Sequence, residues 1–177
     1  MSKRDLKKYL VALTKEQLEE QLVELYEKFS PVKVYYDFVF NPKEDKLLQE
    51  AKVKISHEYF PVKKPNARWR PKAKMRRSVA QKIIKHFISL GVDSFIIADL
   101  MLYNIEIAQT YSSNNFIKQE LFYKSIFNSF EQAVNFLISS GIFHEFKARV
   151  QAIYQETLQQ KWKNRYDFEA ILDKTEI

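Results

Sequence analysis

Between residues 15 and 29, apolar side chains recur at Leu18, Leu22, Leu25, Tyr26 and Phe29, while Glu16, Glu19, Glu20, Glu24 and Glu27 crowd the remaining sides. Steps of three and four predict an amphipathic helix. Thr14 followed by Gln17 supplies a capping box for it, and Ser2 followed by Asp5 predicts a shorter helix upstream. Pro31 ends the helix or opens the next element. Residues 32–40, VKVYYDFVF, carry the β-branched and aromatic side chains that suit a strand. Val34, Tyr35, Phe38 and Val39 also repeat as helix neighbours, and one short strand between two prolines would have no partner, so a short helix is preferred. Asn41 and Pro42 then predict the N-cap and first residue of a charged helix reaching about Glu58, with Leu47, Leu48, Ala51 and Ile55 inward.

The second half of the chain reads as helices throughout. Ser78 is positioned to cap a helix that turns Val79, Ile83, Phe87 and Leu90 to the core, and Gly91 stops it as a left-handed C-terminal cap. Asp93 caps a helix to about Thr110 that is apolar on nearly all sides, which predicts the central helix of the fold. SSNN at 112–115 predicts a turn. Long helices follow over 117–140 and 142–162, separated by Gly141, with Asp167 capping a last short one. HFISLGVDSF and FLISSGIFHEF align on Ile-Ser-x-Gly-apolar with their glycines 50 residues apart. This suggests a short HEAT-like array of hairpins, or simply that apolar helices ending in glycine look alike. The expectation is one all-α domain over 1–177, with about eight helices packed as antiparallel hairpins.

Composition narrows the function classes. A chain 46% hydrophobic and 15% aromatic is too apolar to stay disordered. With no cysteine, disulfides, thiolate metal sites and cysteine nucleophiles are excluded. Only two glycines occur, too few for phosphate-binding loops, dinucleotide folds or nucleophile elbows. His57, His86 and His144 form no helical His-x-x-x-His pair, so zincin and di-iron patterns are missing and neither a metal nor a cofactor is expected. The opening MSKRDLKKYLVALTK spaces its apolar residues with lysines, unlike a secretory signal. The most apolar run, 95–108, is broken by Asp99, Asn104 and Glu106 and is too short to span a bilayer. A cytoplasmic protein without a membrane span is the expectation.

Charge is concentrated in one place. Residues 61–92 hold ten Lys or Arg and no Asp or Glu, whereas the other 19 basic residues are outnumbered by 22 acidic ones, so the net charge of +7 is local. The first half, PVKKPNARWRPKAKMRR, contains three of the five prolines and Trp69. Read as a basic loop over 61–77, it would engage a polyanion, nucleic acid foremost. Lys63, Lys64, Arg68, Arg70, Lys72, Lys74, Arg76 and Arg77 would contact phosphates and Trp69 would stack on a base. The other readings are that these cations meet the acidic helix over 15–29 inside the fold, or are only solvated.

A second feature lies on the apolar helix, where Asp99, Tyr103, Glu106 and Thr110 share a face. The two carboxylates could serve as acid and base or hold a metal, but their Cα atoms would be roughly 10 Å apart, far for one ion. A structural seam is the better reading, with Lys82, Lys85, His86 and Ser89 of the preceding helix pairing with Asp99, Tyr103 and Glu106. Trp162 is expected to anchor the last helices on the core.

The strings SKRDLKKYLVALTKEQLEEQLVELYEKF, YYDFVFNPKEDKL, RRSVAQKIIKHFISLGVD and ADLMLYNIEIAQTYS resemble an uncharacterised family of small bacterial helical proteins, a domain of unknown function. That resemblance extends over most of the chain and implies a fold but no activity. LKKYLVALTKEQLEEQLVEL is similar to the two-helix SAP nucleic-acid module, without the glycine that motif carries in its connection. Binding rather than catalysis is the leading expectation. The alternative partner to a polyanion is a protein, or a second copy, held on a helical scaffold.

Overall fold

The computed structural model describes residues 2–63, 65–66, 68–69 and 71–174, and among them the fold is all-α, with nine helices and no strand. The helices gather into two compact units, Met1–Lys43 and Glu44–Ile177.

The first unit contains α1 (Lys3–Val11), α2 (Lys15–Lys28) and α3 (Ser30–Phe40). Both predicted capping boxes form. Ser2 Oγ accepts the Asp5 N–H while the Asp5 carboxylate accepts the Ser2 N–H, and Thr14 and Gln17 repeat the exchange. Residues 32–40 are helical as expected. Pro31 lies in the first turn of α3, where its missing N–H costs nothing, and the Phe29 carbonyl accepts the N–H groups of Val32 and Lys33. Tyr26 Oη donates to Asp37 Oδ1 at 2.7 Å and ties α2 to α3. No residue of α1, α2 or α3 is buried.

The second unit holds the core. Its elements are α4 (Glu44–Tyr59), α5 (Arg77–Leu90), α6 (Ser94–Asn114), α7 (Glu120–Ser139), α8 (Phe143–Gln159) and α9 (Arg165–Asp173). As its apolar surround predicts, α6 is central: it packs against α4, α5, α7 and α8, while α9 rests on α7 and α8. Leu100, Leu102 and Ile105 of α6 are fully enclosed, as are Phe87 of α5, Phe130 of α7 and Phe168 of α9. Trp162 is buried against Phe122, Tyr123 and Phe168 in edge-to-face contacts, as expected of an anchor for the last helices.

Several boundaries differ from the sequence expectation, each for a local reason. Asn41 closes α3, its N–H reaching the carbonyls of Asp37 and Phe38, and α4 begins at Glu44 rather than Pro42. The buried face of α5 is Ala80, Ile84, Phe87 and Leu90: Phe87 and Leu90 are inward as predicted, Ala80 and Ile84 are buried where Val79 and Ile83 were expected and are only half-buried, and Ser78 does not cap the helix. SSNN is not a turn: α6 runs on to Asn114, because Ser112, Ser113 and Asn114 bond back to the carbonyls of Gln109 and Thr110. Asp167 sits in the first turn of α9 with Asn164 at the cap.

Three helices share one ending. At the end of α5 the Val92 N–H reaches the Phe87 carbonyl and the Gly91 N–H that of Ile88. Ile142 and Gly141 repeat this on Leu137 and Ile138, and Trp162 and Lys161 repeat it on Thr157 and Leu158. In each a left-handed residue is followed by a buried apolar one, the Schellman arrangement. Gly91 (φ 73°) and Gly141 (φ 70°) suit it, whereas Lys161 (φ 53°) carries a Cβ there. This is why α8 stops at Gln159 although no glycine announces it. Lys161→Gly is expected to raise stability by about 1 kcal/mol, because it removes the left-handed strain at a solvent-exposed position. Urea denaturation followed by the Trp162 signal checks this; unchanged or lowered stability contradicts it.

Candidate functional site

The basic loop begins and ends at one residue. It leaves α4 after Tyr59 and returns so that the N–H groups of Lys74 and Met75 both donate to the Glu58 carbonyl, at 2.9 and 3.0 Å. Met75 adopts φ 51°, which turns the chain there. The Glu58 carboxylate accepts from Arg76 three times, from the backbone N–H at 3.2 Å, Nε at 2.9 Å and Nη2 at 2.7 Å. One glutamate therefore satisfies a carbonyl at the C-terminal end of α4 and also takes the N-cap position's N–H at the start of α5. The Arg76 guanidinium holds the Glu58 carboxyl below its ordinary range, against the opposing effect of burial.

Arg77 is taken up as well: Nε donates to Ser129 Oγ of α7 at 3.1 Å, and Nη2 is buried without a partner among the described residues. Arg76 and Arg77 of the expected phosphate-contacting set thus have partners within the fold, and the loop is closed at its base. Lys63, Arg68, Trp69, Lys72 and Lys74 all face solvent, while Lys64 and Arg70 lie outside the described residues. Trp69 is 75% exposed, with the Arg68 guanidinium 5.6 Å from its ring centre.

The polar seam of α6 is real but differently partnered. Asp99 Oδ2 accepts from Lys52 Nζ of α4 at 2.6 Å and Oδ1 from Arg149 Nη1 of α8 at 2.6 Å. Arg149 also reaches Glu106 through Nε at 2.6 Å and Nη2 at 2.7 Å. The Lys52 ammonium lies 5.2 Å from the Tyr103 ring centre. Lys82, Lys85 and His86, the expected partners, are exposed on α5, because the face that packs inward is the Ala80, Ile84, Phe87 one. Burial alone would raise the Asp99 carboxyl; hydrogen bonds from Lys52 and Arg149 outweigh it and hold the group below the ordinary aspartate range. Glu106 and Asp99 in turn hold the Arg149 guanidinium protonated. A fork-shaped cation spans two carboxylates placed seven residues apart. Among the described residues no group of His, Cys, Asp or Glu could hold a metal ion.

Sequence reasoning missed Lys52, Glu58, Ser129 and Arg149. Lys52 and Arg149 each sit beside a core position, Ala51 and Val150, on helices otherwise expected to be inward there. Lys52, Ser129 and Arg149 each lie more than 40 residues from their partners, and Glu58 lies 18 from Arg76, beyond the reach of any local spacing.

Arg149→Met, which leaves the part-buried Glu106 without its cation and Asp99 with Lys52 alone, is expected to cost about 2–3 kcal/mol in chemical denaturation, whereas Lys82→Ala and Lys85→Ala each stay within about 0.5 kcal/mol. Equal effects would restore α5 as the partner. Glu58 has a lowered carboxyl in the folded chain, so its contribution is present above pH 4.5, the ordinary glutamate value, and is lost as pH falls towards the lowered one. Glu58→Gln should therefore be less stable than the parent at neutral pH and lose less on acidification; parallel pH profiles would contradict this.

No curated protein and no solved structure matches the chain. A family model does, over residues 1–176, in agreement with the strings that resemble such a family, and the chain belongs to the family of unknown function DUF6155.

Proposed function

We propose that the loop over 61–75 binds single-stranded nucleic acid. The observation that carries this reading is Trp69, 75% exposed at a loop position with Arg68 against its ring and Lys63, Lys72 and Lys74 exposed along the same loop. Large aromatic rings left in water cost free energy unless something covers them, and an unpaired base offers a face that any sequence can supply. The surrounding cations would replace condensed counterions along the sugar-phosphate chain. No acidic side chain occurs from 61 to 92 to oppose them.

The closure at Glu58 supports the reading in a second way. A loop whose ends are fixed has already lost part of the freedom that binding would otherwise remove, so the exposed ring and cations are presented at lower entropic cost. Arg76 and Arg77 serve this presentation and do not contact the ligand.

The chain carries two tryptophans, Trp69 exposed and Trp162 buried, so Trp162→Phe leaves Trp69 as sole emitter. Titration with short single-stranded DNA and RNA should quench it, with affinity falling as salt rises. Lys72→Ala should reduce the salt slope by about 0.7, the value for one contact on a single strand, and Trp69→Ala should cost about 1–3 kcal/mol. Absence of binding at low salt, or binding indifferent to salt, overturns the proposal. Tighter binding to duplex than to single strands would exclude the stacking role of Trp69.

A further inference from the structure

The first unit has three helices and no core. None of the residues of α1, α2 or α3 is buried, yet 13 large hydrophobic side chains in the unit are exposed, from Leu22 and Leu25 near two-fifths to Phe40 at 80% and Val11 at 86%. Helices of this length are marginal in water without an apolar face to bury. Caps and two exposed side-chain hydrogen bonds between helices, Gln21 Nε2 to Tyr9 Oη and Tyr26 Oη to Asp37, do not substitute for that.

What covers the face can be argued from area and charge. Nine of these side chains belong to α1, α2 and the residue that ends α2, and half-exposed aliphatic and aromatic side chains in that number amount to roughly 800 Å² of apolar surface, about what each partner buries in an interface of standard size. Charge is sorted between the helices. α1 carries Lys3, Arg4, Lys7 and Lys8 against Asp5 alone, whereas α2 carries five glutamates against Lys15 and Lys28. Those two lysines pair along α2 itself, with Glu19 and Glu24. A surface with a basic helix beside an acidic one is complementary to itself after a two-fold rotation, which is the requirement for a closed symmetric dimer. A partner of single sign would satisfy one helix and repel the other.

We infer that the Met1–Lys43 unit is a self-association surface, on which α1 of one copy lies along α2 of a second copy and the apolar faces close over each other. The two-fold arrangement makes both α1–α2 contacts equivalent, so their charge signs can be exchanged in a designed way.

Sedimentation equilibrium of the full chain tests this, with a dimer of micromolar or tighter dissociation constant expected. Two charge-reversed chains locate the surface. Lys7→Glu with Lys8→Glu makes both helices acidic, and Glu20→Lys with Glu27→Lys makes both basic. Each alone should self-associate about tenfold more weakly or worse, while an equimolar mixture should recover a dimer, because each acidic helix then meets a basic one. Rescue on mixing cannot arise from repair within one chain. A monomeric parent at all concentrations overturns the inference even if the variants fold poorly. So does a parent dimer that neither charge set weakens, or a mixture no tighter than its components.

Discussion

The two-sided engagement of Glu58 is the constraint on which the arrangement of the basic loop depends. Its carbonyl meets the N–H groups of Lys74 and Met75, and its carboxylate meets the backbone and guanidinium of Arg76. A helix ends with carbonyls lacking partners and begins with N–H groups lacking partners, and here one residue answers both needs across a connection of some seventeen positions. It also resolves an electrostatic difficulty. Glu58 stands at the negative end of α4 and Arg76 with Arg77 at the positive end of α5, each the wrong sign for its own helix. Placed together, each neutralises the other. The Glu58 side chain is only 11% exposed whereas that of Arg76 is 53% exposed, so the carboxylate is covered while the guanidinium keeps contact with water.

The same logic recurs on α6. A helix surrounded by others leaves Asp99 and Glu106 only partly solvated, at 24% and 35% exposure, so cations from flanking helices stabilise them. Arg149 from α8 and Lys52 from α4 supply them, and α6 is thereby fixed in rotation and register between its neighbours. Apolar contacts alone would permit a helix this uniformly hydrophobic to turn about its axis. Further along, Gln109 Nε2 donates to the Ile153 carbonyl and Gln160 Nε2 to the Gln109 carbonyl, holding α8 to α6 beyond the ion pairs.

How much of this was legible follows from the range of each interaction. Capping boxes at Ser2 and Thr14, the left-handed glycines 91 and 141 and the cap at Asp93 span a few residues, and all were readable. Helix α3 was readable once Pro31 was weighed against its strand-like side chains. The end of α8 was not, because Lys161 adopts a conformation that its side chain disfavours, held by the burial of Trp162 one position on. Nor was the extent of α6, since serine and asparagine side chains serve a turn or a helix end equally well. The identity of the carboxylate partners was least legible. A seam can be inferred from the polar positions of one helix, but which cation meets it depends on the rotations of other helices, and Lys82, Lys85 and His86 lie on the solvent side of α5, away from its buried Ala80, Ile84, Phe87 and Leu90.

A run of cations is a single feature in the sequence and two different things in the molecule. Counting along the chain gives each lysine and arginine the same weight. Distance from a helix end separates them: Arg76 and Arg77 lie where α5 begins and find Glu58 and Ser129 at once, whereas Lys63, Arg68, Lys72 and Lys74 extend over backbone that forms no helix and stay in water. The internal pair consumes no more charge than it needs to close the loop. What remains is an excess of positive charge on the same loop as one exposed indole, a connection that the fold has already closed.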